Sequence, residues 1–190
     1  MISQILEYKN IIKADTILTA IDVETTGLDN FYHKIIELAC VKYKNGKEID
    51  KLSLLLDPER DIPEDATKIN GITNDMVAGK PKFAEIADSF ISFINGAVIV
   101  AHNARFDLGF INGALVRADK PGLDSRYVDT LDMARKAFPG RVSYSLQNLA
   151  ADFNIAVTAA HRAEDDSRVC MELFYRCDRI FNPGGQISLF

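Results

Sequence analysis

The chain has 190 residues, 47% of them hydrophobic, and a formal net charge of −5. This length is enough for one domain with a substantial core and too short for two full-sized ones. The excess of acidic residues argues against a protein that binds long nucleic acids in a basic groove, because affinity for nucleic acid comes from neutralising many phosphates. It leaves room for an enzyme that touches only a few nucleotides.

Segments that would direct the chain to a membrane or out of the cell are not evident in the sequence. No stretch approaches the roughly 18 consecutive apolar residues of a membrane span. The N-terminus lacks the basic segment, apolar run and small-residue cleavage site of a secretory signal. We therefore expect a cytoplasmic protein that makes no membrane contact. The three cysteines, Cys40, Cys170 and Cys177, have no Cys-x-x-Cys spacing and are expected in the core rather than in a disulfide or zinc site.

The first half of the chain begins with a predicted helix and continues into strands. Apolar residues between Ile2 and Ile12 have the spacing of a short amphipathic helix, so residues 1–14 are expected to form a helical extension. Residues 16–23, 34–43 and 48–56 have the composition of strands, and Asn45-Gly46 is typical of a tight hairpin turn between the last two. Prolines and glycines spread over residues 57–82 predict a loop with short helical turns.

The second half of the chain is expected to alternate between helices and strands. A helix over residues 83–94 is followed by a buried strand at 97–101. Asn103 can cap the next helix, which runs to about Ala118, and a brief strand near Tyr127-Val128 precedes another helix. The last helix is predicted from about Ala163 to Ile180. This alternation indicates the α/β class, with one domain over residues 1–181 and a flexible tail over 182–190.

Asp22 and Glu24 stand two residues apart at the end of the first predicted strand, after a largely apolar run at 17–21. Side chains at positions i and i+2 of a strand point to the same face. Carboxylates at the end of a buried strand must be paired or metal-bound, and their hard oxygen ligands suit Mg²⁺ or Mn²⁺. The pair therefore predicts half of a divalent metal site.

Three residues farther along the chain are candidates for the other half of this site. Asp107 falls about one turn into the helix after strand 97–101, and Asp166 falls near the start of the last helix, five residues after His161. Sites in α/β proteins are built where strands end, and a histidine can accept a proton from an activated water near neutral pH. A purely structural role is the alternative for all three residues. Acids in the first turn of a helix complement the helix dipole, and a lone histidine before a helix can be a neighbour of its N-cap.

Three separated motifs carry a resemblance to a known family. They are Asp-x-Glu-Thr-Thr-Gly at 22–27, His-Asn-Ala-x-Phe-Asp at 102–107 and His-Arg-Ala-x-x-Asp at 161–166. In this order they resemble the DEDD-type 3′→5′ exonucleases of the subclass with a catalytic histidine, over about residues 16–178. Within that family the sequence is most similar to the proofreading epsilon subunit of bacterial DNA polymerase III.

The resemblance implies a fold, a metal centre and a mechanism. The fold is RNase H-like, with a mixed five-stranded sheet whose first three strands are antiparallel and helices on its flanks. Two divalent ions, Mg²⁺ or Mn²⁺, would be held by Asp22, Glu24, Asp107 and Asp166, with Asp22 bridging both. His161 would be the general base, and the products would be nucleoside 5′-monophosphates.

The resemblance also implies a pocket for the 3′-terminal nucleotide. Seven positions match this pocket or its surroundings, namely Thr25, Thr26, Gly27, Asn70, Asn103, Phe106 and Asp129. The first three would form a turn whose backbone meets the nucleotide. Asn70 falls where many relatives carry histidine, which leaves its contact open. Asp129 matches a recurrent residue at the end of the fifth strand but could equally be an N-cap.

The last five residues, Gln186 to Phe190, resemble the Gln-x-x-Leu-Phe peptides that bind the bacterial sliding clamp. Gln186, Leu189 and Phe190 carry the likeness, and the apolar pair could anchor in a groove while the linker supplies reach. The alternatives are a tail that folds back on the domain and one that stays disordered. Tethering to a ring around DNA would raise the effective concentration of an acidic enzyme at a 3′ end.

The function expected from the sequence is a metal-dependent 3′→5′ DNA exonuclease that acts in proofreading or repair at the clamp. Its partners would be a DNA 3′ end, the sliding clamp and, as a further candidate, a replicative polymerase. One alternative is an RNA-processing exoribonuclease of the oligoribonuclease or tRNA-trimming type, since the acid motifs are shared and a 2′-hydroxyl is read by pocket shape. A second alternative is a non-catalytic clamp-binding module that has kept the fold.

Overall fold

A mixed sheet forms the centre of the computed structural model, which describes residues 2–13 and 15–184. Its strand order is β1-β6-β5-β2-β3-β4. The strands are β1 Ser3–Gln4, β2 Ile17–Thr25, β3 Ile35–Lys44, β4 Lys47–Leu55, β5 Val98–Ala101 and β6 Arg126–Asp129. β2, β3 and β4 pair antiparallel, whereas β5 pairs parallel with both β2 and β6. The predicted α/β class is confirmed, although the described sheet has six strands rather than five.

The additional strand replaces the helix that was predicted near the N-terminus. Ser3 and Gln4 pair parallel with Arg126 and Tyr127 of β6 at the edge of the sheet. A helix this short is marginal in isolation, whereas the free edge of β6 offers backbone groups that need hydrogen-bond partners. Ile5, Ile11 and Ile12 instead contact the core from this segment, whereas Leu6 is 60% exposed.

Seven helices are found in the described part of the chain. They are α1 Glu64–Asn70, α2 Asn74–Val77, α3 Phe83–Ile94, α4 Ala104–Arg117, α5 Thr130–Ala137, α6 Leu146–Asp152 and α7 Ala163–Phe181. The short turns α1 and α2 lie in the segment predicted as loop with helical turns. None of the helices in the described ranges is both long and apolar enough to cross a membrane.

The two faces of the sheet belong to different apolar clusters. Leu18 and Ala20 of β2 pack with α5, α6 and α7, whereas Ile21 and Val23 pack with α3 and α4. This division follows from the two-residue period of a strand. Asp22 and Glu24 continue the series of Leu18 and Ala20, so they emerge on the face covered by α7. The three cysteines are buried and free.

Candidate active site

The first two acids of the site stand where β2 leaves the core. Asp22 and Glu24 are both half-buried, and the pairing of β2 with β3 shifts register just after Glu24. Burial raises the pKa of Glu24 to about 8, with further contributions from nearby carboxylates. The pKa of Asp22 is also raised well above its usual range, first by burial and then by the charges of Asp107 and Asp166. The two side chains are therefore part of a crowded group of acids.

Asp107 reaches this group from the first turn of α4. Its side chain is 3% exposed, and its Oδ1 accepts a hydrogen bond of 3.1 Å from the backbone N–H of Val23, the residue between the two acids of β2. Asn103, with φ of 60°, turns the chain from β5 into α4 and so aims the first turn at β2. Burial raises the pKa of Asp107 to about 8, against the lowering effect of the Val23 hydrogen bond.

Asp166 and His161 reach the group from the start of α7. Possible ligand atoms of Glu24, His161 and Asp166 all lie within 4.8 Å of one another. Asp166 is buried, and its Oδ2 accepts a hydrogen bond of 3.1 Å from the backbone N–H of His161. Burial raises its pKa to about 6. The His161 side chain is exposed at the mouth of the site, where it can reach a water molecule.

The five predicted residues line a single cleft of about 610 Å³. In the described part of the chain, none of its four carboxylates has a lysine or arginine nitrogen within 4.0 Å. Carboxylates held together without a cationic side chain would have to bind protons or an external cation. An all-oxygen donor set with one adjacent imidazole suits a hard divalent ion. The residues present therefore fit the metal centre that the resemblance implied.

A fifth acid, Glu37 of β3, contributes to the site and was not predicted. It pairs with Glu24 in the register of β2 and β3, and the residue is 3% exposed. Arg162 donates to it from Nε at 3.1 Å and from Nη2 at 2.7 Å, and the backbone N–H of Ala163 donates at 3.0 Å. These bonds fix the chain next to His161 at the start of α7. A glutamate inside the apolar run of β3 was the available signal, because a buried acid requires a partner.

His102 and Gln147 also line the cleft without having been predicted. The His102 ring contacts Thr130 Oγ1 at 2.9 Å through Nδ1 and the carbonyl oxygen of Tyr144 at 2.9 Å through Nε2. Burial lowers its pKa to about 4, so the ring is neutral near pH 7. His102 therefore ties the rim of the cleft near Tyr144 to the sheet. The amide of Gln147 lies 3.5 Å from Asp166 Oδ1.

The turn after β2 is held by bonds within the protein. Thr26 is 1% exposed, and its hydroxyl oxygen accepts a bond of 3.0 Å from the backbone N–H of Lys34. Thr25 is buried, and its hydroxyl donates to the carbonyl oxygen of Gly27 at 2.7 Å. A Cβ at Gly27 would lie 2.5 Å from the His33 ring, so glycine is needed there for close packing. His33 was not predicted as that neighbour, because no local pattern indicates a contact between Gly27 and His33.

The remaining predicted pocket residues divide into two groups. Asn103 and Phe106 line the cleft. Asn70 is buried, where its Oδ1 accepts from the backbone N–H of Ile72 at 3.0 Å and its Nδ2 donates to the carbonyl oxygen of Thr25 at 3.4 Å. Asp129 caps α5 through the backbone N–H of Leu131 at 3.0 Å, which was the alternative left open by the sequence.

Asp129 has a second task at the start of α4. Its two carboxylate oxygens accept bonds of 3.0 and 3.1 Å from the backbone N–H groups of Asn103 and Ala104. It thereby links the ends of β5 and β6 and does not line the cleft. The clamp-binding residues Gln186, Leu189 and Phe190 lie outside the described residues.

Comparisons with known proteins agree on one family. The family model described as Exonuclease matches residues 19–174. The chain is 51% identical over 158 residues to the DNA polymerase III subunit epsilon of Treponema pallidum, covering 82% of this chain and 74% of that protein. It is 38% identical over 162 residues to the PolC-type DNA polymerase III of Halalkalibacterium halodurans, covering 85% of this chain but only 11% of that much longer protein.

Two solved structures are similar to this chain. Exonuclease X in complex with 5′ overhanging duplex DNA has a TM-score of 0.67 and 32% identity, covering 84% of this chain and 90% of its own. Escherichia coli Exonuclease I in complex with a dA16 oligonucleotide has a TM-score of 0.76 at 20% identity, covering 88% and 42%, and supports the fold alone. Proteins of this family generally use divalent metal ions. The chain therefore belongs to the Exonuclease family and is a 3′→5′ exonuclease, as the resemblance to the DEDD-type enzymes implied.

Proposed function

We propose that this protein is a metal-dependent 3′→5′ DNA exonuclease that releases nucleoside 5′-monophosphates during proofreading or repair. The observation that carries the proposal is the convergence of Asp22, Glu24, Asp107, Asp166 and His161 on one cleft. Two of its relatives are named as DNA polymerase III proteins, and a third was solved with DNA. These names favour DNA over RNA as the substrate.

The four carboxylates of Asp22, Glu24, Asp107 and Asp166 are proposed to hold two divalent ions, Mg²⁺ or Mn²⁺. When bound, the ions would supply positive charge to the scissile phosphate and lower the pKa of the attacking water. Asp107 is well placed to be a rigid ligand, because the hydrogen bond from Val23 fixes one of its oxygens. Glu24 from β2 and Asp166 from α7 would complete the set, since their possible ligand atoms lie within 4.8 Å of one another.

His161 is proposed to accept the proton of the attacking water. Its side chain is exposed and lies beside Glu24 and Asp166, so it can reach a water at the phosphate and return the proton to solvent. The pairing of Glu37 with Arg162 would hold the backbone of His161 in place during this step. Asn103 and Phe106 line the same cleft and would contact the 3′-terminal nucleotide, next to the rigid turn at Thr25, Thr26 and Gly27.

The chain is further proposed to consist of an exonuclease domain over residues 1–181 and a tail over 182–190 that binds the sliding clamp. The resemblance of Gln186, Leu189 and Phe190 to clamp-binding peptides supports this part. A replicative polymerase is a second proposed partner, since the epsilon relative is named as a polymerase III subunit. A role at the bacterial replication fork would place the protein in the cytoplasm.

The first experiment compares 5′-labelled DNA and RNA oligonucleotides of one sequence in Mg²⁺, Mn²⁺ or EDTA, with products resolved on a gel. We expect a ladder on DNA that shortens from the 3′ end only when metal is present. Asp22→Asn should abolish the ladder. Glu164→Gln is the matched control, since Glu164 lies in the same turn as Asp166 but pairs with Lys51 on the surface. A ladder on RNA alone would assign the enzyme to RNA processing, and no ladder on either would favour the non-catalytic module.

The clamp proposal has a separate test. Leu189→Ala combined with Phe190→Ala should weaken binding to a purified bacterial sliding clamp in calorimetry while leaving cleavage of free single strands unchanged. Ser188→Ala, which changes one of the two unspecified positions of the Gln-x-x-Leu-Phe pattern, is the control. Equal clamp affinity before and after the double change would reject the tail as the binding segment.

A further inference from the structure

A small pocket away from the catalytic cleft collects charged side chains from four segments of the chain. It has a volume of about 140 Å³ and lies between the start of β3, the segment after β4, the start of α3 and the end of α4. None of the described residues lines both this pocket and the catalytic cleft. Arg117 of the pocket is ten residues beyond Asp107 on α4, which corresponds to about 15 Å along the helix axis. The pocket is therefore separate from the metal-binding acids.

Two cations, Lys34 and Arg117, line this pocket without an acidic partner. In the described part of the chain, no carboxylate oxygen lies within 4.0 Å of the Lys34 Nζ or of the Arg117 guanidinium. Arg117 donates from Nη1 to the carbonyl oxygen of Asn30 at 3.1 Å, which uses one of its five N–H donors. Burial lowers the pKa of Lys34, and the charges of Arg117 and Arg60 lower it further against the opposing charge of Glu59. An anion held between Lys34 and Arg117 would relieve this repulsion.

The pocket also contains two carboxylates, each of which has a partner for one of its oxygens. Asp57 Oδ1 accepts a hydrogen bond of 2.8 Å from the backbone N–H of Glu59. Glu59 pairs with Lys82 through Oε1. Each carboxylate keeps a second oxygen that can accept a hydrogen bond. Such oxygens repel an anion without an O–H group, whereas an anion that carries its own O–H group can donate to them.

We propose that this pocket binds inorganic phosphate in the form of hydrogen phosphate. The unprotonated oxygens of the ion would accept hydrogen bonds from Lys34 and Arg117, and its P–OH group would donate to Asp57 or Glu59. Sulfate near neutral pH and the phosphodiesters of nucleic acid have no O–H group, so the pocket would reject both. Its volume also favours a small ion, because 140 Å³ corresponds to about five water molecules at roughly 30 Å³ each.

Lys34 connects this pocket to the turn after β2. The backbone N–H of Lys34 donates to Thr26 Oγ1 at 3.0 Å, and the backbone N–H of Thr26 donates to the Lys34 carbonyl oxygen at 2.9 Å. A bound phosphate would join this part of β3 to the end of α4 and stabilise the folded protein by mass action. Its binding requires neither metal nor DNA, so it can be tested independently of the exonuclease activity.

The test measures phosphate binding to the metal-free protein by ³¹P NMR line broadening, in EDTA at pH 7.5 and constant ionic strength. The acids of the catalytic cleft repel anions under these conditions, so binding reports the pocket. Lys34→Gln should weaken phosphate binding about tenfold or more, as expected for the loss of one hydrogen bond from a charged donor. Arg117→Gln lies on a different element and should have the same effect, which keeps the test decisive if Lys34→Gln does not fold. Sulfate should displace phosphate only at concentrations at least about tenfold higher.

Lys120→Gln is the matched control, because Lys120 follows Arg117 closely but pairs with Asp88 at 2.6 Å and does not line the pocket. It should bind phosphate as the unaltered protein does. Asp57→Asn should reduce the preference for phosphate over sulfate, since the asparagine amide can donate to either ion.

Three results would overturn the proposal. The first is phosphate binding that is absent in the unaltered protein or equal in Lys34→Gln, Arg117→Gln and the unaltered protein. The second is displacement of phosphate by sulfate at equal concentration, which would remove the role of the carboxylates. The third is weaker binding of fluorescein-labelled dT8 by Lys34→Gln, followed by anisotropy in Ca²⁺, which would assign the cation to nucleic acid instead.

Discussion

Replacing Asp107 by asparagine should stabilise the metal-free protein while removing activity. The Asp107 carboxyl is 3% exposed and has no lysine or arginine partner among the described residues, so its charge is costly in the folded state. Asparagine has nearly the same shape and can still accept the hydrogen bond from the Val23 backbone. The change therefore removes the unfavourable charge without removing the contact that orients the side chain.

The magnitude follows from the pKa of Asp107, which burial raises from 3.8 to about 8. An acid whose pKa is higher in the folded state costs stability as pH rises from the unfolded pKa to the folded one. At pH 7 the pH lies about 3 units above the unfolded pKa and still below the folded one. The charge of Asp107 therefore lowers the free energy of unfolding by at most about 4 kcal/mol. At pH 5 the same calculation leaves about 2 kcal/mol. The advantage of Asp107→Asn should thus grow with pH.

The assay is urea unfolding in EDTA at pH 5, 6, 7 and 8, repeated with Mn²⁺. Without metal, Asp107→Asn should be more stable than the unaltered protein at pH 7 by about 2–4 kcal/mol. The range extends below the upper limit because removing the charge of Asp107 also changes the ionisation of the neighbouring acids. With Mn²⁺ the unaltered protein should gain stability by mass action and the variant should gain less. Adding Mn²⁺ should therefore reduce the difference in unfolding free energy between the variant and the unaltered protein, or reverse its sign.

Asp165→Asn is the control, and it should have the opposite effect on the free energy of unfolding. Burial alone would raise the pKa of Asp165, but hydrogen bonds from Ala159 and Thr158 and the charge of Arg168 lower it overall. An acid with a lowered pKa stabilises the fold above its unfolded pKa, and this contribution is lost as pH falls. Asp165→Asn should thus destabilise the protein most near neutral pH. If Asp107→Asn also destabilised it, or if its effect did not change with pH, the charge argument would be refuted.

Three further changes test the parts of the site. His161→Ala should lower kcat about 10²- to 10⁴-fold, as for loss of a general base, yet retain Mn²⁺-dependent stabilisation in thermal melts; unchanged turnover would exclude the base role. Glu37→Gln should cost about 1–3 kcal/mol in urea unfolding and lower kcat more than it raises KM, because the start of α7 loses its anchor; unchanged kcat would show that the anchor is only structural. Gly27→Ala should cost about 1–3 kcal/mol through contact with His33, and most of this loss should disappear when His33→Ala is added; strictly additive losses would disprove that contact.

The charge distribution explains why the cleft is suited to an external cation. Glu37 has Arg162 as its partner, whereas the four cleft acids have no comparable cationic side chain among the described residues. The protein thus compensates the acid that anchors the backbone and leaves uncompensated the acids proposed to bind metal. This difference separates a structural carboxylate from a candidate ligand more clearly than burial does, since Glu37 and Asp107 are equally buried at 3% exposure.

Local patterns in the sequence were sufficient for most of the fold and for the central acids. The strands β2 to β6 and the helices α3, α4, α5 and α7 follow from apolar periodicity and turn residues, which depend only on neighbours along the chain, whereas α6 was not predicted. Asp22 and Glu24 were recognisable because two carboxylates at the end of an apolar strand conflict with burial unless they have a function. The three motifs then supplied Asp107, His161 and Asp166, whose ordinary alternatives the residues alone had left open.

Tertiary structure decided the features that depend on partners far away in the chain. The N-terminal segment became β1 because the edge of β6, more than a hundred residues later, offered hydrogen bonds that its own apolar spacing could not reveal. Asp129 serves two helices because β5 and β6 end side by side. Glu37 meets Arg162 across 125 positions, a pairing that no local pattern encodes. Local propensities are set by adjacent residues, whereas burial, charge compensation and edge pairing are properties of the assembled fold.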